Sequence, residues 1–249
     1  MATEAALAVA AVLVVALTDT LLALRVLRAY RKSGRAAHLA IVAGISASFF
    51  AVVGISLVLA ALGEPELAGT GLFVVARWLS FEGAAASYGL VGVFAALAFG
   101  ERPQRVGAVL AAIALLALAA TGVETEPLAP TLATTRWALR VPFVLLAVAG
   151  SGYGAFAARR LARLYATARA AGRDVDRVAL ARMRLIGRGF AAMTASQLAL
   201  LGFTPGDSFD TPSGLAMVAV ILLGALVFVL ACVATWATPA WMRARWGRS

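Results

Sequence analysis

The chain reads as an all-α polytopic membrane protein, a single domain over residues 1–249 folded as a seven-transmembrane-helix bundle, with the N-terminus outside and the C-terminus cytoplasmic. Three observations predict this. Hydrophobic residues make up 62% of the chain and charged residues 14%, with a mean hydropathy of +0.91, whereas a soluble domain carries about 45–50% apolar and 25% charged residues. Seven apolar segments are separated by polar, Gly- and Pro-bearing breaks. The basic residues fall almost entirely in alternate breaks.

A bilayer core about 30 Å thick needs about 20 helical residues, and the segments are placed at 5–27, 39–62, 68–98, 106–123, 137–158, 185–203 and 214–238. The N-terminal MATEAALAVAAVLVV lacks a positive n-region and its apolar run outlasts a signal peptide, so it reads as a retained first span. RKSGRAAH separates it from span two, where Gly44 and Ser48 form a small-xxx-small pair. GEPELAG leads into span three, whose stretch ARWLSFEGAAASYG sets an arginine and a glutamate beside a run of small residues. GERPQRVG and ETEPLAPTLATT bracket span four, and span five carries Pro142, expected to loosen a backbone hydrogen bond, and the pair Gly150 and Gly154. AAGRDVDR marks the next turn. Span six is the most polar, with Arg184 and Arg188 at one end and Thr194, Ser196 and Gln197 within. GFTPGDSFDTPSG precedes the apolar span seven. Gly, Pro and charge in each break are what helix ends require.

Topology follows from counting basic residues by side. The first, third and fifth connections and the C-terminal tail hold 19 of the 22 Lys and Arg, nine of them between Arg159 and Arg188. Loops on the other side hold only acids, namely Glu4, Glu64, Glu66, Glu124, Glu126, Asp207 and Asp210. The basic side is therefore cytoplasmic, which requires an odd number of spans. Trp137 at one end and Trp236, Trp241 and Trp246 at the other have the character of interfacial anchors. The net charge of +10 follows this membrane asymmetry and does not call for nucleic acid. LARLYATARAAG and RDVDRVALARMRLIG read as helical extensions meeting near Gly172, so spans five and six project as an arginine-rich cytoplasmic hairpin. Residues 159–188 could dock a cytoplasmic protein partner or anionic headgroups. Arginine-for-lysine usage in an Ala-rich chain suggests a GC-rich prokaryotic genome, hence the cytoplasmic (inner) membrane.

Charges within spans are rare and ordinarily face a bundle interior. Asp19, Arg77, Glu82, Arg136 and Arg140, within or at the edge of the spans, are the candidates, joined by Tyr88 and Gln197 as polar groups able to line a ligand or proton site. Arg77 and Glu82 are five apart, about 140° of rotation and about 7.5 Å of rise, so they do not form an i, i+4 pair. Arg77 shares a face with Phe81, Ala84 and Tyr88; Glu82 aligns with Trp78, Ala85, Ala86 and Gly89. Each therefore needs a partner from another helix, and for Glu82 the first place to look is Arg136 and Arg140, or else retention of its proton. Asp19, flanked by Thr18 and Thr20, is expected to meet a neighbouring helix or interfacial water.

The single cysteine, Cys232, excludes an intramolecular disulfide and a cysteine metal cluster, and the single histidine, His38, excludes bis-histidine haem ligation. No metal site and no cofactor is evident, and no constellation of nucleophile, base or paired metal ligands suggests an enzyme. Seven spans, an outside N-terminus, a basic cytoplasmic end and the residues Arg77, Trp78 and Glu82 in the third helix resemble the microbial rhodopsins. The resemblance covers the topology of the whole chain, but the family's arginine-to-acid spacing is not matched. In that family a lysine of the seventh helix forms the retinal Schiff base; span seven here has no lysine, and Lys32 lies in a loop, so covalent retinal is excluded.

The expected function is a non-enzymatic protein of receptor-like or regulatory type, with an internal polar site coupled to the arginine-rich hairpin. Alternatives are a small proton- or ion-linked transporter or channel, a structural subunit of a membrane complex or homo-oligomer, and a rhodopsin-like bundle without the retinal lysine. Paired broken helices and an internal repeat, which would favour a transporter, are absent from the sequence.

Overall fold

The structure, a computed structural model, describes residues 2–62, 70–126, 129, 132–202, 212–236 and 238–248, with side chains described from Leu17 onward except at 59, 60, 62, 133, 214, 215, 218, 222 and 248. These residues form helices α1 (Ala2–Ser33), α2 (Ala36–Leu62), α3 (Gly71–Phe99), α4 (Arg102–Thr125), α5 (Trp137–Ala170), α6 (Arg177–Ala199), α7 (Pro212–Trp236) and α8 (Ala240–Arg248), with short 3-10 turns at Leu132–Thr134 and Leu200–Gly202. The segments 5–27, 39–62, 106–123 and 137–158 lie inside α1, α2, α4 and α5, whereas 68–98, 185–203 and 214–238 run past the ends of α3, α6 and α7, with Thr70 ahead of α3, 200–202 in a 3-10 turn and Thr238 beyond α7. The connections at 63–69 and 203–211, with Glu64, Glu66, Asp207 and Asp210, lie outside the described residues, as does the side chain of Glu4.

Five of these helices are long and apolar enough to cross a membrane: Ala36–Val58 of α2, all of α3, α4 and α5, and Ala219–Trp236 of α7. The chain is thus an all-helical protein compatible with multi-pass membrane insertion. Helix α6 stands apart because Arg177, Arg182, Arg184 and Arg188 occupy its first half. Helix α5 has 34 residues, about 51 Å at 1.5 Å per residue, some 20 Å more than a bilayer core. Its excess and the basic half of α6 form the expected hairpin. The hairpin turns at Gly172, whose φ of +75° suits glycine, where Arg173 N–H donates to the Ala168 carbonyl and Gly172 N–H to Arg169. That pair of bonds closes α5 as a Schellman cap. Asp176 then opens α6 by accepting from the Val178 N–H at 2.8 Å.

Neighbouring helices pack in chain order, α7 returns to touch α1, and α3 packs against α2, α4 and α5 at once. Helix α3 is central because its small residues permit it. A Cβ on Gly83 would fall 2.6 Å from the Ala51 backbone nitrogen of α2, and one on Gly150 of α5 would fall 2.8 Å from Gly92 Cα of α3. In a bilayer, where apolar burial between helices adds little, such close backbone approach is what holds helices together. Gly150 and Gly154 serve different neighbours, since Gly154 leaves room for the Phe190 ring of α6.

Two apolar clusters result. One, at the arginine-rich end, gathers Leu22, Val26, Ile41, Phe94, Ile186, Phe190, Phe228 and Cys232. The other, toward the opposite end, gathers Phe81, Leu115, Phe143, Val144 and Leu200. Tyr88 packs against both.

Candidate functional site

At the end opposite the arginines, Arg77 is buried and caps a helix. Its Nε donates to the Ala129 carbonyl at 3.0 Å, and Nη2 donates to the carbonyls of Val123 at 3.2 Å and Glu126 at 2.8 Å. These oxygens belong to the last turn of α4 and the segment after it, where a helix leaves carbonyls unsatisfied and its dipole is negative. A guanidinium with five donors in a planar fork suits that task. Its Cζ also lies 5.8 Å from the Phe81 ring centroid, on the face expected for it.

Glu126 completes the arrangement. Its carboxylate Oε2 accepts the backbone N–H of Arg136 at 2.8 Å, one step before α5 begins. One residue thus ties the end of α4 to Arg77 through its backbone and the start of α5 through its side chain. Arg140 is buried in the same corner, its Cζ 4.4 Å from the Trp137 ring centroid and within electrostatic reach of Glu126.

The expected pairing of Glu82 with Arg136 or Arg140 is not formed. Glu82 is half-buried and has no hydrogen bond or ion pair among the described residues. The reason is rotational: α3 turns Phe81 and Ala85 into the cluster shared with α4 and α5, which leaves Glu82 on the side of the exposed Val75 and Trp78. Arg136 is exposed and contributes its backbone.

Asp19, also buried, meets a neighbouring helix: Ser48 Oγ of α2 donates to its Oδ2 at 3.1 Å. Gln197 bonds across helices, its Oε1 accepting from Ser151 Oγ of α5 at 2.6 Å. Ser151 also lies 2.9 Å from Thr194 Oγ1, and Gln197 Nε2 is buried without a hydrogen-bond partner among the described residues. The ring of Tyr88 lies 6.1 Å from that of Phe143. The structure therefore distributes the seven candidate residues over separate interfaces. Only Arg77, Arg136 and Arg140 share a neighbourhood, through Glu126.

A cavity lies at the other end. Its volume is about 580 Å³, and it is lined by Arg35 just before α2, Ala36, Ala37 and His38 from its start, Phe94, Leu97, Ala98 and Phe99 near the end of α3, Arg105 of α4, Leu161 and Tyr165 of α5, Ala179, Met183 and Ile186 of α6, and Thr235 and Trp236 of α7. Its large apolar residues are buried or half-buried, while Arg35 and Arg105 are exposed at the mouth together with Ala36 and Ala98. Arg105 Nε donates to the Gly100 carbonyl at 3.0 Å, and neither arginine has a carboxylate partner among the described residues. His38 is positioned by Ser33, with Oγ to Nδ1 at 3.0 Å, and by an edge-on contact with Trp236 at 6.5 Å between centroids. The hairpin forms one wall. Its outer surface presents exposed Arg159, Arg160, Arg163, Arg169 and Arg173, whereas Arg182 and Arg177 tie α6 to Thr238 and to the Gly247 carbonyl of α8, at 3.1 and 3.3 Å.

Sequence reasoning missed both Glu126 and the cavity. Glu126 was legible only as one acid of a loop, and Arg35, His38 and Arg105 only as residues of the separate breaks RKSGRAAH and GERPQRVG. No group of three or more metal-ligating side chains occurs among the described residues. No protein-family model matches the chain, and no curated protein and no solved structure shows significant similarity to it.

Proposed function

We propose that the chain is a non-enzymatic seven-helix protein of the cytoplasmic membrane, N-terminus outside, of receptor-like or regulatory type. Occupancy of the cavity at the arginine-rich end biases the position of the α5–α6 hairpin, which engages a cytoplasmic partner. The observation that carries this is the wall they share: Leu161, Tyr165, Ala179 and Met183 face the cavity from the same two helices whose outer surface carries the arginines. A ligand shifts a conformational equilibrium only by contacting its states differently, and these side chains supply such contacts. The site thereby moves from Arg77, whose donors serve backbone carbonyls, to the opposite end of the bundle.

The seven-span reading counts α1 and α6 as crossings. It is supported by the basic residues gathered at one end and by the ring of helices that α7 closes against α1.

The coupling is tested without any ligand. Ala98→Trp places an indole in the cavity from the α3 wall, away from the hairpin. In the full chain in lipid nanodiscs, hydrogen exchange across residues 161–183 is expected to change while α4 is unaffected. Unchanged exchange in the hairpin, with the indole shown to be buried by its emission, overturns the coupling.

A further inference from the structure

We propose that the cavity binds an amphiphile with an anionic headgroup and an aliphatic tail; this rests on the reading of the cavity as the protein's site. The first argument is the separation of chemistry along its depth. Phe94 and Ile186 are buried, and Leu97, Phe99, Leu161 and Met183 half-buried around them, so the interior offers apolar surface. The one hydroxyl contributed by α7, Thr235 Oγ1, already donates to the Ala231 carbonyl at 2.7 Å. A ligand with polar groups along its length would leave them unsatisfied inside, at the cost of their lost hydration.

The mouth has the opposite character. Arg35 has no side-chain hydrogen bond among the described residues, and the two terminal nitrogens of Arg105 are likewise without one. The first turn of α2 lines the same cavity, and there the N–H groups of Ala36 and Ala37 have no acceptor among the described residues. Two guanidinium groups and a helix N-terminus converge on one opening, an arrangement suited to carboxylate or phosphate oxygens. His38 and Tyr165 line the same cavity, and both side-chain types can donate hydrogen bonds. A volume of about 580 Å³ falls within the range of roughly 300–1,000 Å³ that small-molecule sites occupy.

The headgroup chemistry could come from a phospholipid of the surrounding leaflet or from a free fatty acid, and the test separates them. Trp236 lines the cavity and serves as the reporter. The full chain, reconstituted in phosphatidylcholine vesicles, is titrated with dibromostearate in one arm and with bromine-labelled phosphatidylglycerol in another, with bromine-labelled phosphatidylcholine as the uncharged reference. Trp236→Phe isolates the share of fluorescence that belongs to the cavity.

Saturable quenching of that share by either acidic probe, beyond the phosphatidylcholine reference, is expected, and the arm in which it occurs names the source. The double variant Arg35→Gln, Arg105→Gln is expected to weaken it at least tenfold, Arg35→Lys with Arg105→Lys less, and Arg163→Gln on the hairpin surface not at all. Equal quenching by phosphatidylcholine, or quenching indifferent to the double glutamine variant while its circular dichroism matches the parent, overturns the proposal. Quenching that fails while Ala98→Trp still alters the hairpin overturns the amphiphile and leaves the coupling standing; the reverse pattern overturns the coupling alone.

Discussion

The two ends of the bundle use arginine in opposite ways. At one end Arg77 is buried, and its side chain collects three carbonyls from the end of α4 and the segment beyond. At the other, Arg35 and Arg105 are exposed at the mouth of a cavity without a carboxylate partner among the described residues. The same functional group is a structural cap in the first place and an available binding group in the second. What differs is the supply of competing acceptors: the end of α4 and the segment beyond engage Arg77 through both Nε and Nη2, whereas Arg105 is held through Nε alone, by the Gly100 carbonyl at the end of α3, and Arg35 has no side-chain hydrogen bond among the described residues.

The sharpest way to break this contrast is Arg77→Ala. It strips hydrogen bonds from three carbonyls in a corner with little access to water, and a loss of about 3 kcal/mol in unfolding free energy is expected from the cost of leaving such groups unsatisfied. Chemical denaturation in detergent followed by circular dichroism measures it. Arg77→Lys should recover less than half, because a single ammonium cannot span the three oxygens. A neutral Arg77→Ala would mean that water replaces the guanidinium there and that Arg77 is available after all.

Glu126→Gln is expected to be milder, about 1 kcal/mol, comparable to loss of a helix cap, since a neutral amide oxygen is a weaker acceptor for the Arg136 N–H and no longer complements Arg140. The same denaturation measures it, and combining it with Arg140→Gln should give less than the sum of the two, because the residues share one corner.

Arg35→Gln with Arg105→Gln is expected to shift unfolding by no more than about 0.5 kcal/mol, the usual effect of exposed substitutions that break no buried network. A loss comparable to that of Arg77→Ala would erase the distinction and make the basic mouth structural too.

How much of this was legible depended on whether a property is local. Turn chemistry was readable because it is set within a few residues: AAGRDVDR contains both the glycine that ends α5 and the aspartate that starts α6. That Asp19 meets a neighbouring helix followed from the cost of polar groups in apolar surroundings, and Ser48 answers it, as Ser151 answers Gln197. The same cost argument required partners for Arg77 and Glu82 but could not choose them. For Arg77 the answer was backbone carbonyls, which every sequence contains and no pattern marks.

By itself, then, the sequence determined an all-helical, membrane-compatible chain, the turns between its helices, the gathering of basic residues in alternate connections, and the meeting of α5 and α6 near Gly172. All of these depend on hydropathy, turn residues and charge read along one dimension. Tertiary structure alone decided that Arg77 closes α4, that Glu82 turns away from α5, and that Arg35, His38, Arg105, Tyr165 and Trp236 surround one cavity. Those facts depend on the rotation of each helix about its axis and on which ends lie side by side, and small-residue contacts such as Gly83 against Ala51 and Gly92 against Gly150 fix both only when the helices meet.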